Sequence, residues 1–273
     1  MKETEKPVFH PSIWLKMEVL FIVIGLSCCY ILISGPTVQF RYNHPTLDFD
    51  GYKTVVIITL DDFAIESDNW GDAIEMLVNK SLPHTAGIIT NKADWEYIRT
   101  LSNNDYTEIA SHSRTHPDKI PYDYEREIKG SKEDILENLG VNVVSYILPN
   151  GVFDDKLAKY LSLNEYIVFR DVRNARLKNR IRGGFWNGLY RSELTVEMGD
   201  MWGTNNTETL NKLFDQAYEE NKVYHVMVHP NHVDWSTNSY ADQHLSYIAN
   251  RSDVWYITLG GFYIHQLEEK DGQ

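Results

Sequence analysis

Two adjacent aspartates, Asp61 and Asp62, follow an apolar and β-branched run at residues 52–58, which is typical of a buried strand in a parallel sheet. Ligands and catalytic side chains collect at the carboxyl ends of such strands. Neighbouring carboxylates repel each other unless a cation or a shared proton relieves the repulsion. The pair therefore indicates either a metal site or a polar turn in which one Asp caps the next helix.

The pair His112 and His116 is a second candidate, because it follows the third predicted strand with the spacing of one helical turn. Two imidazoles at that spacing can bind zinc or a related divalent metal, and an Asp oxygen can complete a three-ligand site that stays open to water. Taken alone, the spacing also arises by chance. At the same end of a sheet as Asp61 and Asp62, it favours a metal centre.

His229 is the third candidate, since it follows the apolar run at residues 223–228. A lone His after a strand is more often structural. Here two other predicted strands also end in ionisable side chains, so we interpret His229 as a general acid or base.

These candidate residues can form one site only if the fold brings the ends of several strands together. The hydrophobic pattern predicts such a fold. Predicted strands lie at 52–58, 84–89, 105–111, 141–147, 166–169, 223–228 and 254–258. Predicted helices lie near 70–80, 93–102, 123–138, 154–163, 207–221 and 240–250. The section up to about residue 204 is expected to be irregular. The alternation predicts an α/β domain, a distorted barrel of about seven β/α units, at residues 52–265, followed by a tail at 266–273.

Composition narrows the functional class. The chain has 273 residues and a net charge of -13, which argues against nucleic acid as a partner. Its two cysteines, Cys28 and Cys29, are adjacent, so the sequence offers no long-range disulfide and no Cys-based zinc site or nucleophile. No feature of the sequence implies a protein partner.

Residues 13–35 are predicted to form a transmembrane anchor. The run at 19–33 is uncharged, and with the apolar residues before it reaches about 20 residues, the length that spans a bilayer. The lysines before this run outnumber the basic residues that closely follow it. This asymmetry predicts that residues 1–12 lie in the cytoplasm and that the globular part lies outside the cell. A cleaved signal peptide or a buried core helix is the alternative, although no A-x-A-like site follows the run. Residues 36–51 are expected to be a linker.

Three motifs carry a family resemblance over about residues 52–264. The segment Thr59-Leu60-Asp61-Asp62 is similar to a T-F-D-D motif, and residues 112–116 fit the pattern H-[ST]-x-x-H. The strand before His229 is similar to a third motif, an apolar strand that ends in His. In order and spacing these segments resemble the polysaccharide deacetylase family, the metal-dependent carbohydrate esterases with a NodB homology domain. The resemblance implies a NodB-like (β/α)7-type barrel.

The resemblance also implies roles for these residues. Asp61 would be the catalytic base and His229 the general acid, whereas Asp62, His112 and His116 would hold one divalent metal ion. Zinc is the default for this ligand set, and Co, Ni, Mn or Fe would fit nearly as well. The implied activity removes N-acetyl, or O-acetyl, groups from a cell-surface or extracellular glycan and releases acetate.

One further motif departs from the family pattern in its residues. The family's R-x-P-[aromatic]-G appears as Ile147-Leu148-Pro149-Asn150-Gly151, without the Arg that would pair with the base and without the aromatic side chain. The turn at Pro149, Asn150 and Gly151 is retained, and its backbone N–H groups would hold the oxyanion. We hypothesise that Arg170, at the end of the next predicted strand, replaces the missing Arg beside Asp61.

The family's fourth motif, an Asp-rich stretch that ends in Trp, has no clear counterpart, and its candidates are Asp171, Trp186 and Trp202. The two departures keep alternatives open. One is a catalytically inactive glycan-binding module with the same fold. The other is a metal-dependent hydrolase of a different amide, such as a cyclic ureide or a formamide.

Overall fold

The structure, a computed structural model, describes residues 47–64, 68–151, 154–171, 193–201 and 203–271. The predicted membrane span at 13–35 lies outside these residues, as do Trp186 and Trp202. Among the helices that are described, none has both the length and the apolar character needed to cross a bilayer.

Within the described residues, eight strands form one sheet, and every strand pairing is parallel. The strands are β1 (Thr54–Phe63), β2 (His84–Ile88), β3 (Thr107–Ser111), β4 (Ser145–Ile147), β5 (Val168–Arg170), β6 (Glu193–Met198), β7 (Val223–Val228) and β8 (Val254–Tyr256). Their order is β5-β4-β3-β2-β1-β7-β6, with β8 paired to the start of β1. The sheet is a half-barrel, because no pairing between β5 and β6 closes it in the part of the chain that is described.

The strands are connected mainly through helices on the outer face. They are α1 (Asp68–Asn79), α2 (Trp95–Ser102), α3 (Gly130–Leu139), α4 (Asp155–Leu163), α5 (Thr207–Glu219), α6 (Tyr240–Ile248) and α7 (Leu259–Asp271). Caps define their ends: Asp94, Asp154, Asn206 and Ser239 each accept a backbone N–H from the first turn of α2, α4, α5 and α6. Gly140 ends α3 in the left-handed conformation, with φ 73°.

Strand β1 shows how the sheet separates an apolar core from a polar interior. Side chains alternate along a strand. One face packs into the main core beneath the helices: Val56, Ile58 and Leu60. On the inner face, Val55 and Ile57 pack with Phe262 of α7, which lies at the amino-terminal end of the strands. Further along that face stand Thr59 and Asp61, both buried. The interior of the half-barrel is therefore apolar at one end and polar at the other.

Strand β6 is the main correction to the predicted fold, since it lies in the section that was expected to be irregular. Its residues alternate polar and apolar, but the polar residues Glu193 and Thr195 face other buried polar groups instead of solvent. Alternation of polar and apolar residues is itself the pattern of a half-buried strand, so the signal for β6 was present in the sequence. What the pattern does not show is that the polar face points into the half-barrel.

Helix α7 was also not predicted, because two glycines, Gly260 and Gly261, stand in its first turn and disfavour a helix. It continues past position 265, where the sequence analysis ended the domain. Part of the predicted linker packs on it: the backbone N–H of Asp48 donates to Oε1 of Gln266 at 3.0 Å, and the Gln266 amide donates back to the Asp48 carbonyl at 2.6 Å.

Candidate active site

Asp61 and Asp62 reach one cavity because strand β1 is irregular at its end. Neighbouring residues of a regular strand point to opposite faces. The register of β1 shifts between Leu60 and Phe63, and Asp62 takes a left-handed φ of 69°. For a residue other than Gly this backbone costs about 1–3 kcal/mol, and such strain collects at functional sites. Its effect here is that both carboxylates line the same cavity.

Asp62, His112 and His116 form a cluster whose ligand atoms all lie within 4.8 Å of one another. The Asp62 Oδ1 atom is 3.2 Å from His112 Nε2 and 3.5 Å from His116 Nε2. His112 is the residue directly after β3, and its Nδ1–H donates to the Ile147 carbonyl at 2.9 Å. That bond leaves the Nε2 lone pair directed at a carboxylate oxygen.

The two facing atoms, His112 Nε2 and Asp62 Oδ1, are buried and have no hydrogen-bond partner among the described residues. Two lone-pair acceptors at this distance repel each other unless a cation lies between them. Two imidazoles and a carboxylate are also the ligand types that zinc and related divalent ions prefer. The residues present therefore fit a divalent metal.

Electrostatics keep these groups in the forms that bind metal. Burial alone would raise the pKa of Asp62, but the neighbouring imidazole of His112, with those of His116 and His229, outweighs burial and lowers that pKa well below its usual range. Burial, followed by the charge of His112, lowers the pKa of His116. An ionised carboxylate and a neutral imidazole are the ligand forms of these residues.

Asp61 is buried against Arg170. The Arg170 Nη2 atom donates to Asp61 Oδ1, and the two side chains are 0% and 1% exposed. Arg170 is the last residue of β5, at the edge of the sheet, and it lies beneath the cavity that Asp61 lines. The contact that we hypothesised from the sequence is therefore present.

His229 follows β7 and faces both aspartates across the cavity. Its Nε2 atom lies 3.9 Å from Asp61 Oδ2 and 4.0 Å from Asp62 Oδ2, and its Nδ1 atom lies 3.2 Å from Glu197 Oε1. Burial lowers the pKa of His229, but Glu197 and the two aspartates outweigh burial, so that the pKa is raised. A raised pKa suits a general acid at neutral pH.

A buried polar layer lies below Asp61. Thr59 Oγ1 is 2.9 Å from His225 Nε2, and His225 Nδ1 is 3.2 Å from Glu193 Oε1. The Thr195 hydroxyl donates to the same Glu193 oxygen at 2.5 Å. Burial raises the pKa of Glu193 well above its usual value and lowers that of His225 well below its own, which favours the neutral form of both groups. The sequence analysis did not identify this layer.

The cavity above these groups has a volume of 270 Å³. It is lined by Asp61, Asp62, His112, His116, Asn150, Glu197, Met227 and His229. Of the three residues in the predicted oxyanion turn, only Asn150 lines the cavity, and it has a left-handed φ of 51°. Pro149 and Gly151 are buried. Six predicted site residues from four separate segments thus share one cavity.

Comparison with known proteins agrees with this geometry. Residues 50–168, which contain both aspartates and both metal-site histidines, match the family model described as polysaccharide deacetylase. The matched segment, which is a little under half of the chain, is therefore similar to polysaccharide deacetylase domains. No sequence among the curated proteins matches the chain.

Solved structures of deacetylases share the fold of this domain. A candidate polysaccharide deacetylase from Mycobacterium smegmatis has a TM-score of 0.63 at 16% identity, covering 83% of this chain and 94% of that one. A family 4 acetyl xylan esterase from Clostridium thermocellum, in complex with a cobalt ion, has a TM-score of 0.51 at 15% identity, covering 77% and 91%. A peptidoglycan deacetylase from Bacillus subtilis has a TM-score of 0.50 at 14% identity, covering 80% and 94%.

Glu197 lines the cavity but was not among the residues predicted from the sequence. It stands on β6 and, with Asp200, precedes Trp202 in the segment Glu197-Met198-Gly199-Asp200-Met201-Trp202. An acidic stretch that ends in Trp is the form of the fourth motif. These acidic residues before Trp202 were visible in the sequence, but they lie in a section that was predicted to have no strand.

Proposed function

We propose that this chain is a metal-dependent deacetylase that hydrolyses N-acetyl groups on a cell-surface or extracellular glycan and releases acetate. The observation that carries the proposal is the shared cavity, in which an Arg-paired carboxylate, a cluster of metal-ligand type and a Glu-paired histidine face one another. The family match supports it. So do structural neighbours whose own activities are deacetylation of peptidoglycan and of acetyl xylan.

In the proposed reaction the residues of this chain move two protons. Asp61, held by Arg170, accepts a proton from the water that attacks the acetyl carbon. The backbone N–H of Asn150 would donate to the oxyanion, because Asn150 is the residue of the turn that lines the cavity. Pro149 has no N–H, and the N–H of Gly151 donates to the Leu148 carbonyl at 3.1 Å. His229, held by Glu197, donates a proton to the nitrogen as the carbon–nitrogen bond breaks, because an amine anion is a poor leaving group. The products are acetate and a free amino sugar.

Asp62, His112 and His116 would hold the metal. A divalent ion at that position supplies Lewis acidity, which polarises the acetyl carbonyl and lowers the pKa of water. We propose zinc first, with Co, Ni, Mn and Fe as ions that the same ligand set accepts. The cobalt complex of the Clostridium thermocellum esterase supports this range.

Acetate release from N-acetylglucosamine oligomers, with and without a chelator, tests the function. We expect release that the chelator abolishes and added metal restores. Asp61→Asn should lose turnover while retaining metal, because only the base is removed, whereas His112→Ala should lose both. Turnover by Asp61→Asn at the wild-type rate would contradict the assignment. Metal binding without hydrolysis of any acetylated glycan would instead favour a glycan-binding module, and hydrolysis of a cyclic ureide or a formamide would favour another amidase.

We further propose that residues 13–35 anchor the enzyme in a membrane, with residues 1–12 in the cytoplasm and the catalytic domain outside. The support is the uncharged run and the lysines that precede it. The full chain should sediment with membranes and resist extraction by high salt. A variant with Ile22→Arg and Ile24→Arg should be recovered in the supernatant, since charges at the bilayer centre are costly. Recovery of the wild-type chain in the supernatant would contradict the anchor.

A further inference from the structure

The loop that carries both metal-site histidines has a backbone that needs outside support. Ser113 has a φ of 67° and His116 a φ of 57°, and neither residue is a glycine. Each such conformation costs about 1–3 kcal/mol and persists only when surrounding groups fix it. If the loop relaxed, the side chain of His116 would move away from Asp62 and His112.

On one side, the loop is fixed by the segment that follows β2. The backbone N–H of Thr90 donates to the Ser113 carbonyl at 3.2 Å, and that of Asn91 donates to the Arg114 carbonyl at 3.0 Å. These bonds satisfy the carbonyl groups of Ser113 and Arg114. The N–H groups of Ser113 and His116 donate to the hydroxyls of Ser111 and Ser113, which leaves the N–H groups of Arg114 and Thr115 to be satisfied from the other side.

On the other side, one carboxylate accepts those N–H groups. Glu127 Oε2 accepts the backbone N–H of Thr115 at 2.7 Å and that of Arg114 at 3.1 Å, while Oε1 accepts the Thr115 hydroxyl at 2.8 Å. Glu127 is 3% exposed, so these charge-assisted bonds are shielded from water.

The element that carries Glu127 is itself unusual. Glu127 stands in a π-helical turn, Glu125–Lys129, which leads directly into α3. Turns of this type are rare and occur mainly at functional sites. Among the helices in the described residues, α3 is the one that is preceded by such a wider turn.

We propose that Glu127 is a positioning residue for the metal site: its carboxylate holds the loop so that His112 and His116 converge on Asp62. The inference rests on the metal site of the proposed function. Gln at this position would keep the size of the side chain but would remove the negative charge that strengthens all three bonds, since its NH2 group can only donate to the Thr115 hydroxyl in place of accepting from it. Glu127→Gln should therefore weaken metal binding by about 10- to 100-fold, as loss of a group that orients metal ligands does.

Titration of the metal-free full-length chain with Zn²⁺ or Co²⁺, against a competing chelator of known affinity, measures this effect without relying on turnover. Glu108→Gln is the matched control. Glu108 is also a carboxylate that accepts a backbone N–H, from Gly260 at 2.9 Å, and two hydroxyls, from Thr85 and Ser145. It lies on β3, toward the amino-terminal end of the strand that His112 follows. Both variants should lower Tm, but only Glu127→Gln should raise the Kd for metal.

A Kd for Glu127→Gln within about twofold of that for Glu108→Gln would overturn the inference while leaving the metal site intact. A wild-type chain that binds neither ion would overturn the metal site together with the inference. If Glu127→Gln does not fold, Thr115→Val removes only the hydroxyl bond to Glu127. That variant should raise the Kd by about two- to tenfold, equivalent to one hydrogen bond, and an unchanged Kd would again overturn the inference.

Discussion

At the scale of single residues, the pairing of Asp61 with Arg170 is the feature on which the proposed chemistry most depends. The family pattern places an Arg beside the base from the strand before the Pro-x-Gly turn, whereas here the Arg comes from β5. Because the carboxyl ends of adjacent parallel strands lie side by side, the neighbouring strand can deliver the same charge. Asp61, the proposed base, is therefore held by an Arg from a different position in the sequence.

Replacing that Arg should reduce turnover more than metal binding. We expect Arg170→Gln to lower kcat by about 100-fold, because a misplaced catalytic group costs about that much, while the Kd for metal is unchanged. Loss of one partner of a buried ion pair should also lower the unfolding free energy by about 3–5 kcal/mol. Steady-state kinetics below the Tm of the variant would measure the first effect, and full activity would refute the role. Arg99→Gln, which removes an exposed bond to the Asn138 carbonyl, is the control.

Glu197 should control the protonation of His229. The net effect of its neighbours is to raise the pKa of His229, with Glu197 as the leading favourable contributor. A general acid is active below its pKa, so activity is lost as the pH rises through that value. Glu197→Gln should therefore shift the alkaline limb of the pH dependence of kcat/KM to lower pH and reduce kcat at neutral pH. An alkaline limb that coincides with that of the wild type would refute the pairing.

At the scale of elements, the interaction of α7 with β3 closes the amino-terminal end of the half-barrel. The N–H of Gly260 donates to Glu108, and the N–H of Leu259 donates to the Thr85 hydroxyl at 2.9 Å. The free N–H groups of a helix start favour a carboxylate at this position. The two glycines that concealed this helix in the sequence also permit the approach, since a side chain on Gly260 would overlap Glu108 and lie 2.8 Å from Ser145 Oγ.

A methyl group at that helix start should destabilise the fold. We expect Gly260→Ala to lower the unfolding free energy by about 1–3 kcal/mol, the usual cost of overpacking. Gly71→Ala is the control: it lies inside α1, its new methyl would meet only the Tyr97 hydroxyl at 3.7 Å, and it should be neutral or stabilising by up to about 1 kcal/mol. Urea unfolding of the two variants measures the difference. If the two variants are equally stable, the space around Gly260 can accommodate a methyl group and the prediction is wrong.

At the scale of the whole molecule, buried neutral histidines should limit stability in acid. Burial lowers the pKa of His84 from 6.5 to about 4, and that of His244 to about 3. The unfolded chain takes up these protons near pH 6.5, whereas the folded chain does so only at the lower values. Below pH 6.5 the unfolded state therefore binds more protons, and stability falls as the pH decreases toward 4.

His84 alone should account for about 2 kcal/mol of this loss at pH 5. Its Nδ1–H donates to the Leu82 carbonyl at 3.0 Å, and its Nε2 lies 2.9 Å from the Thr107 hydroxyl. His84→Gln keeps a polar group at the position but cannot titrate there. Its unfolding free energy should decline less steeply than that of the wild type between pH 6.5 and 4. Parallel profiles for the two proteins would contradict the contribution of His84.

The amino-acid sequence alone was sufficient to predict the parallel α/β fold and the residue types of the site. Apolar runs that end in Asp61, Asp62 and His229, and the spacing of His112 and His116, are local patterns, so their place at strand ends could be inferred without the structure. Their catalytic roles remain predictions that the experiments above test.

Only the tertiary structure decided which groups support them. The sequence could offer Arg170 only as a hypothesis, because the contact joins it to a residue 109 positions away. Glu197 stands on a strand whose polar residues point into the half-barrel, and local alternation does not reveal which way they point. Glu127 contacts the metal-site loop through backbone N–H groups, which the identity of the loop residues does not encode. Long-range contacts, a polar barrel interior and backbone bonding all depend on how the chain folds, so local sequence does not decide them.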